Sequence, residues 1–371
     1  MKFNVQQQDI WKGTQAALSV VPSKTTLPIL SNIAFENTKD SLSILATDLD
    51  VSIITRISVQ SEQEGSITVP GKKIAEVIRE LPDTPLEFVL ERQQVTISGP
   101  SGVYKILGLP KDEFPEIPQS IDGTEIKIDG SRLGRMIEKT IFAVSTDETR
   151  PALNGVLWQI KSDQMRMVAT DGHRLAKIIH TEMKKSETEK EIIIPAKALH
   201  SLSRFRTDMG KLKSITIGEN HILFDLGTTL IFSRLIAETY PNYERVIPQD
   251  NTNKLKVNRE LLSSSVKRVS ILSNAITHQI RLAIKENSIT LSALDQDIGG
   301  EAKEEIAAEY VGEPMDIGYN AMYILEILSQ IESEDVVFEL KTPTTAGLVY
   351  PTDQKENEDY LCLIMPLRLN G

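Results

Sequence analysis

The chain has 371 residues, 40% hydrophobic and 25% charged, with 41 Lys and Arg against 52 Asp and Glu and a formal net charge of -11. This is an ordinary globular composition, long enough for two or three domains, so wholesale disorder is excluded, and so is a global positive field that would coat the protein with nucleic acid. Cys362 is the single cysteine, the five histidines form no HExxH, and no P-loop, GxGxxG or GxSxG sequence occurs, so neither metal, cofactor nor familiar catalytic chemistry is expected.

Read from the N-terminus, helical periodicity begins near Asp9 and again near Lys72, the second just after the strand-like SITVP (66–70). EFVLERQQVTIS (87–98) alternates as amphipathic strand, and IPQSIDG (117–123) gathers proline, polar residues and glycine as a linker. Helices are expected near Ser131 and Ala196, followed by the strands KSITIG (213–218) and HILFDLG (221–227) and a second linker, IPQDNTN (247–253). LKVN (255–258), a helix near Asn258, the strand SITLSAL (288–294) and a helix near Asn320 complete the series. The six helix starts are separated by 63, 59, 65, 62 and 62 residues. No apolar run approaches the roughly 18 residues of a membrane span, and no signal core follows Lys2, so a cytoplasmic protein with no membrane partner is expected.

The chain also repeats itself. ILATDLDVSI (44–53), MVATDGHRLA (167–176) and LSALDQDIGG (291–300) place Asp48, Asp171 and Asp295 at spacings of 123 and 124. Pro70, Pro195 and Gly318 are spaced by 125 and 123, and Pro115, Pro241 and Pro366 by 126 and 125. One period from three markers implies three domains, 1–121, 122–250 and 251–371, each an α+β unit of two helices backed by antiparallel strands, with helices on one side of a continuous sheet.

The charge is unevenly distributed. The six helical windows sum to +7, so the remainder carries -18. The cations are Lys12, Lys72, Lys73, Arg79, Arg132, Arg135, Lys139, Lys197, Arg204, Arg206, Arg259, Lys267 and Arg268, with Lys24 just beyond the first helix. A basic helical layer on an acidic chain suits a polyanion that touches that layer alone, and duplex DNA fits. With no recognition helix and few aromatics, the contacts would go to phosphate and be blind to sequence.

These landmarks carry a family resemblance. Thr26-Leu-Pro-Ile-Leu-Ser-Asn32, Ala46-Thr-Asp-Leu-Asp50, Val69-Pro70, Arg150 with Leu153-Asn154-Gly155, and Ala169-Thr-Asp-Gly-His-Arg-Leu-Ala176 are followed by Tyr240-Pro-Asn-Tyr-Glu-Arg-Val-Ile-Pro248, Ile271-Leu-Ser-Asn274 and Met365-Pro-Leu-Arg-Leu369. In this order they resemble the bacterial DNA polymerase III beta subunits, the sliding clamps, over the whole chain. The resemblance implies three domains of the DNA clamp fold in a head-to-tail homodimeric ring. That ring encircles duplex DNA, slides along it and tethers the polymerase as a non-catalytic processivity factor. Twelve helices with axes about 8–10 Å apart describe a circle roughly 30–38 Å across, and subtracting about 10 Å for helix thickness leaves room for a duplex.

Residue roles follow from the resemblance. A peptide pocket between domains two and three, shared by the polymerase alpha subunit, the clamp loader and other proteins with clamp-binding motifs, would be lined by Leu153, Thr170, Gly172, His173, Arg174, Leu175, Pro241, Arg245, Val246, Leu363, Met365, Pro366, Leu367 and Arg368. Its Met, Leu, Val and Pro give adaptable apolar walls, while Arg and His would fix the peptide's polar groups. DNA contacts map onto Lys24, Lys72, Arg150 and Lys197. The dimer contact maps onto Tyr104 and Ile106 against Ile271 and Leu272, with Lys73, Arg79 and Lys105 facing Glu301, Glu304 and Glu305. Three features depart from the family: Pro151 and Ala152 stand where some members carry tyrosines, the sixth helix has no basic residue, and Asn370-Gly371 extend the usual end. Two other readings compete, an enzyme with its site in the ATDGHR loop and a repeat scaffold with no nucleic-acid role.

Overall fold

The structure is a computed structural model that describes residues 1–181, 189–295 and 299–369, together with all their side chains except those of 206–208. The Asn370-Gly371 extension and the Arg206 side chain therefore lie outside the described residues. The chain packs as two compact units, Met1–Gly134 with Ile194–Leu235, and Arg135–Ile193 with Ile236–Gly371. The described strands form four sheets, where the repeat pattern predicts one continuous sheet.

The helices are α1 (Gln7–Leu18), α2 (Gly71–Glu80), α3 (Gly130–Ile141), α4 (Ala196–Ser203), α5 (Arg259–Val269) and α6 (Ala321–Gln330), all within two residues of the expected starts. Their starts have local causes. Asn258 and Asn320 accept the N–H groups of Leu261 and Met322 at 3.0 and 2.9 Å, satisfying donors that have no partner inside the helix. Pro70 and Pro195 occupy the same boundary of α2 and α4, where the fixed φ of proline suits a turn into helix. On α2 the buried Ile74, Ala75 and Ile78 fall on one face at helical spacing.

In the first unit an antiparallel five-stranded sheet runs Gln60–Gln63, Lys2–Gln6, Pro85–Glu91, Gln94–Gly99, Gly102–Leu107. An eight-stranded sheet runs Thr124–Ile126, Ser214–Ile217, His221–Asp225, Thr229–Arg234, Val51–Ser58, Ser41–Thr47, Asn32–Thr38, Gly65–Pro70. Its middle pairing, Ile231 opposite Ile53, joins a strand of the second repeat to one of the first.

The second unit repeats the plan. A nine-stranded sheet runs Lys190–Pro195, Gly155–Ile160, Met165–Thr170, Arg174–His180, Glu358–Ile364, Gly347–Pro351, Asp335–Leu340, Asn253–Asn258, Glu309–Val311. Here Ala176 opposite Cys362 joins the second repeat to the third. A four-stranded sheet of Gly300–Ala307, Ser288–Asp295, Gln279–Lys285 and Met315–Asn320 lies in the same unit.

Apolar burial supplies most of the stability of such layers. In the first unit, Phe3 and Phe88 are fully buried and stack with ring centroids 5.0 Å apart, while Phe35 meets Phe88 edge-on at 6.4 Å. Phe88→Ala would leave a cavity beside both rings. Denaturant unfolding should register a loss of about 3–5 kcal/mol, and an unchanged midpoint would remove Phe88 from the core.

Candidate peptide groove and nucleic-acid face

The second unit contains the expected pocket residues, and the hairpin of Met165–Thr170 and Arg174–His180 positions them. Gly172 in its turn has φ +90°, a conformation natural to glycine. The turn is closed by Asp171, whose Oδ1 accepts the N–H groups of His173 and Arg174 at 2.8 and 2.9 Å, and by the Thr170 hydroxyl, which accepts the Gly172 N–H at 3.1 Å. Beside the hairpin, Met365 N–H donates to His173 O and Leu367 N–H to Gly318 O, each at 2.8 Å. The C-terminal segment is thereby fastened at both ends.

Beneath this frame Leu153, Leu175 and Leu363 are buried in one cluster with Val168, Tyr240, Tyr243 and Leu348. Val246 and Met365 in the flanking segments stay 56% and 40% exposed. Gly172, His173, Pro241, Arg245 and Arg368 are exposed around them, and Pro366 and Leu367 are half-buried. Arg245 and Val246 ride on the short helical turn Tyr243–Val246, which is tied down by the Tyr243 hydroxyl donating to Gln159 Oε1 at 2.9 Å. Burial raises the pKa of Tyr243, so it remains a neutral donor.

Arg174 is placed differently from the sequence expectation. It is 7% exposed, and its guanidinium donates to Asp171 at 3.2 Å, to Phe142 O at 2.7 Å and to Glu326 on α6, while lying 4.5 Å from the Tyr323 ring centroid. These partners occupy its fork, so Arg174 holds the rim in place. His173 stacks on Tyr323 at 6.3 Å between centroids. Tyr323, Tyr240, Tyr243, Val168 and Leu348 are the groove residues that the sequence reading did not assign. Tyr240 and Tyr243 stand within the quoted YPNYERVIP motif, whereas the sixth helix is marked in the sequence by its periodicity, its place in the repeat and its lack of basic residues, none of which singles out Tyr323.

The expected DNA contacts divide. Lys24 and Lys72 are exposed. Lys197 donates to Val20 O at 2.9 Å and to the Asp48 carboxylate. Arg150 pairs with Asp147 at 2.9 Å, and its Nη1 would lie 3.0 Å from a Cβ at Gly172, so it stands at the groove's turn. Other helical cations are compensated locally. Arg135 pairs with Glu332 and, at 2.8 Å, with Glu358; Lys139 is 4% exposed against Glu332 and Gln330 O, and burial lowers its pKa. Lys73 pairs with Glu76 and Arg79 with Glu80, each at 2.8 Å.

The expected dimer residues lie on or beside open sheet edges. Gly102–Leu107 is the outer strand of its sheet, with Tyr104 and Ile106 half-buried, Lys105 exposed, and Val103 and Leu107 62% and 69% exposed. Gly300–Ala307 is likewise outermost in its sheet, with Glu301 and Glu305 exposed. Glu304 on that strand is engaged within the chain, by Arg268 at 2.7 Å and the Ser265 hydroxyl at 2.6 Å. Ile271 is 76% exposed and Leu272 half-buried. Among the described residues no cluster of metal-ligating side chains occurs, and no helix is long and apolar enough to cross a membrane.

The family descriptions "DNA polymerase III beta subunit, N-terminal domain", "central domain" and "C-terminal domain" match residues 1–118, 127–242 and 244–368 in turn. The chain is 32% identical, over the full length of both proteins, to the Beta sliding clamp of Pseudomonas aeruginosa and likewise to that of Caulobacter vibrioides. Among solved structures it aligns over the whole of both chains with the sliding clamp of Bartonella birtlesii bound to griselimycin (33% identity, TM-score 0.91) and with that of Bacillus subtilis (31%, 0.89). Three clamp domains of six helices and antiparallel sheet, matched end to end, place this chain in the DNA polymerase III beta subunit family, the sliding clamps.

Proposed function

We propose that two copies of the chain join head to tail into a ring around duplex DNA, and that the groove of the second unit holds the polymerase and other partners by short peptides. The chain serves as a non-catalytic processivity factor of DNA polymerase III. Its domains are drawn at 1–121, 122–250 and 251–371. The observation that carries the ring is the pair of open strand edges, Gly102–Leu107 and Gly300–Ala307, in different repeats. Open edges invite strand addition, and an edge of one repeat meeting a different repeat of the partner is a heterologous contact that can close on itself. Lys105 would face Glu301 and Glu305, while Glu304, Lys73 and Arg79 would first exchange their internal partners. Ile271 and Ile106 supply apolar surface.

The exposed Lys24 and Lys72, with Lys12 and Lys267, suit loose phosphate contacts. Loose contacts let a ring slide, and retention is then topological. Protein loaded on closed circular DNA should stay bound and be released when the circle is cut, whereas retention on the cut DNA would exclude encirclement. Sedimentation should give twice the mass of one chain, falling to one chain in Ile271→Asp; a variant that remains dimeric would move the contact elsewhere.

In the groove, Val246→Ala and Met365→Ala should each weaken a polymerase-derived peptide about tenfold by calorimetry, and unchanged affinity would refute the assignment. The Arg268 guanidinium and then the Ser265 hydroxyl hold the Glu304 carboxyl at a pKa of about 2, below the usual 4.5. This pair is complete above about pH 4.5 and is lost as the pH falls through about 2. A carboxyl NMR titration of Glu304 in the monomeric Ile271→Asp chain should show that midpoint, and adding Arg268→Met should move it upward; a midpoint near 4.5 in Ile271→Asp alone would show the pair unformed in solution.

A further inference from the structure

The frame of the second unit's groove occurs again in the first. Thr47 and Asp48 close a turn as Thr170 and Asp171 do: the Thr47 hydroxyl accepts the Leu49 N–H at 3.0 Å, and Asp48 Oδ1 accepts the N–H groups of Asp50 and Val51 at 3.1 and 2.7 Å. Arg234 N–H donates to Asp50 O at 2.8 Å, as Met365 N–H does to His173 O. The floor is duplicated too. Phe114 stands one repeat before Tyr240, and Leu223, paired across strands with Phe232, matches Leu348 paired with Leu363.

Two features single out this groove of the first unit. Phe114, Leu223, Leu230 and Phe232 retain 5–8% exposure, much like the floor of the other groove; Leu49 in the turn is 46% exposed, and Leu27, one repeat before Arg150, is 48% exposed. Leu49 also has φ +82°, where its counterpart Gly172 has +90°. Holding an exposed leucine in the left-handed region is strained, and Gly would remove the strain.

The charge around the two grooves differs in degree. The groove of the second unit has Arg368 and Arg150, the latter paired with Asp147, near its rim, and its segment 237–249 carries Glu238 and Glu244 beside Arg245. In the first unit's groove, the segment 111–123 that supplies Phe114 carries Asp112, Glu113, Glu116 and Asp122, none in an ion pair among the described residues. Its cations are Lys111, paired with Glu36, and Arg56, which donates to Gln119 Oε1 at 2.8 Å. Arg234 and Lys197 are drawn to Asp50 and Asp48.

We propose that this groove of the first unit binds a short extended peptide whose large aliphatic or aromatic side chain is flanked by lysine or arginine. The apolar anchor covers Leu27 and Leu49 and the floor beneath, and the flanking cations meet the acidic segment. The proposal rests on the peptide reading of the second unit's groove.

The test uses the full chain with leucine methyl groups labelled for NMR. Two capped pentapeptides, Lys-Arg-Leu-Phe-Lys and Glu-Asp-Leu-Phe-Glu, are titrated separately. The basic peptide should shift the methyl signals of Leu27, Leu49 and Leu223, equally well in Met365→Asp, and about tenfold more weakly in Leu49→Gly, which keeps the turn's backbone and removes the anchor wall. Glu113→Lys with Glu116→Lys should weaken it similarly. Shifts confined to Leu153, Leu348 and Leu363, no shift at millimolar peptide, or equal binding of both peptides to the first groove would overturn the proposal. If the polymerase-derived peptide still binds the second groove when the basic peptide leaves the first untouched, the failure is this proposal's alone. If neither groove binds, the peptide reading of both falls.

Discussion

Antiparallel pairing between strands of successive repeats is the constraint on which the rest of the structure depends. Thr229–Arg234 lies on Val51–Ser58, and Glu358–Ile364 lies on Arg174–His180. The second pairing runs unbroken from Arg174 opposite Ile364 to His180 opposite Glu358. Because side chains alternate along a strand, a slip of one residue would expose the whole buried face, so register is strongly specified. This seam explains why the packing units cut across the repeats. It also explains where the grooves lie: each sits at the end of a seam, where the last strand leaves the sheet and is caught by the turn beside it.

Electrostatics then determines what each surface can do. The sequence shows cations gathered on helices, but several are paired, Lys73 and Arg79 with neighbours in their own helix and Arg135, Lys139, Lys197 and Arg268 with carboxylates from distant parts of the chain. Glu332 illustrates this: although burial opposes ionisation, hydrogen bonds from Arg135, Lys139 and Lys355 hold its carboxyl far below the usual range. Such a cluster fastens α3 to the segments after α6 and contributes little to an outward field. The cations left exposed, Lys24 and Lys72 among them, are fewer and more dispersed. Sparse cations suit binding that must be weak enough to move along a polyanion.

Helix positions were legible because they rest on local causes, a capping asparagine or a proline followed by an apolar stripe. The groove floor was partly legible because Leu153 and Leu175 fall in motifs with strong family character and Leu363 lies two residues before the C-terminal one. What escaped the sequence was the use of each charged group. Lys197 reaches Asp48 across 149 positions, and Arg174 reaches Glu326 across 152. Composition registers a lysine or arginine the same way whether it faces solvent or an internal carboxylate. The one-sheet expectation failed for a similar reason: alternation identifies strands, but which edges remain open depends on pairings far apart in the chain.

Arg174 and Lys197 solve one problem in two ways. A buried guanidinium costs several kcal/mol unless it is fully paired, so Arg174 binds together the turn at Asp171, the end of α3 at Phe142 O, and α6 through Glu326 and Tyr323. These contacts fix the turn from within the chain, so for the proposed peptide the rim would already be in place. A rim already in place spares the ordering cost that otherwise subtracts from affinity. In the first unit the corresponding residue is Val51, and the link runs in reverse, from Lys197 on α4 to Asp48 in the turn. Lys197 is 39% exposed where Arg174 is 8%, so water can replace its partner at small cost. The duplicated frame thus yields one turn held by a buried arginine and one held by a half-exposed lysine, and the difference traces to which side of the turn supplies the cation.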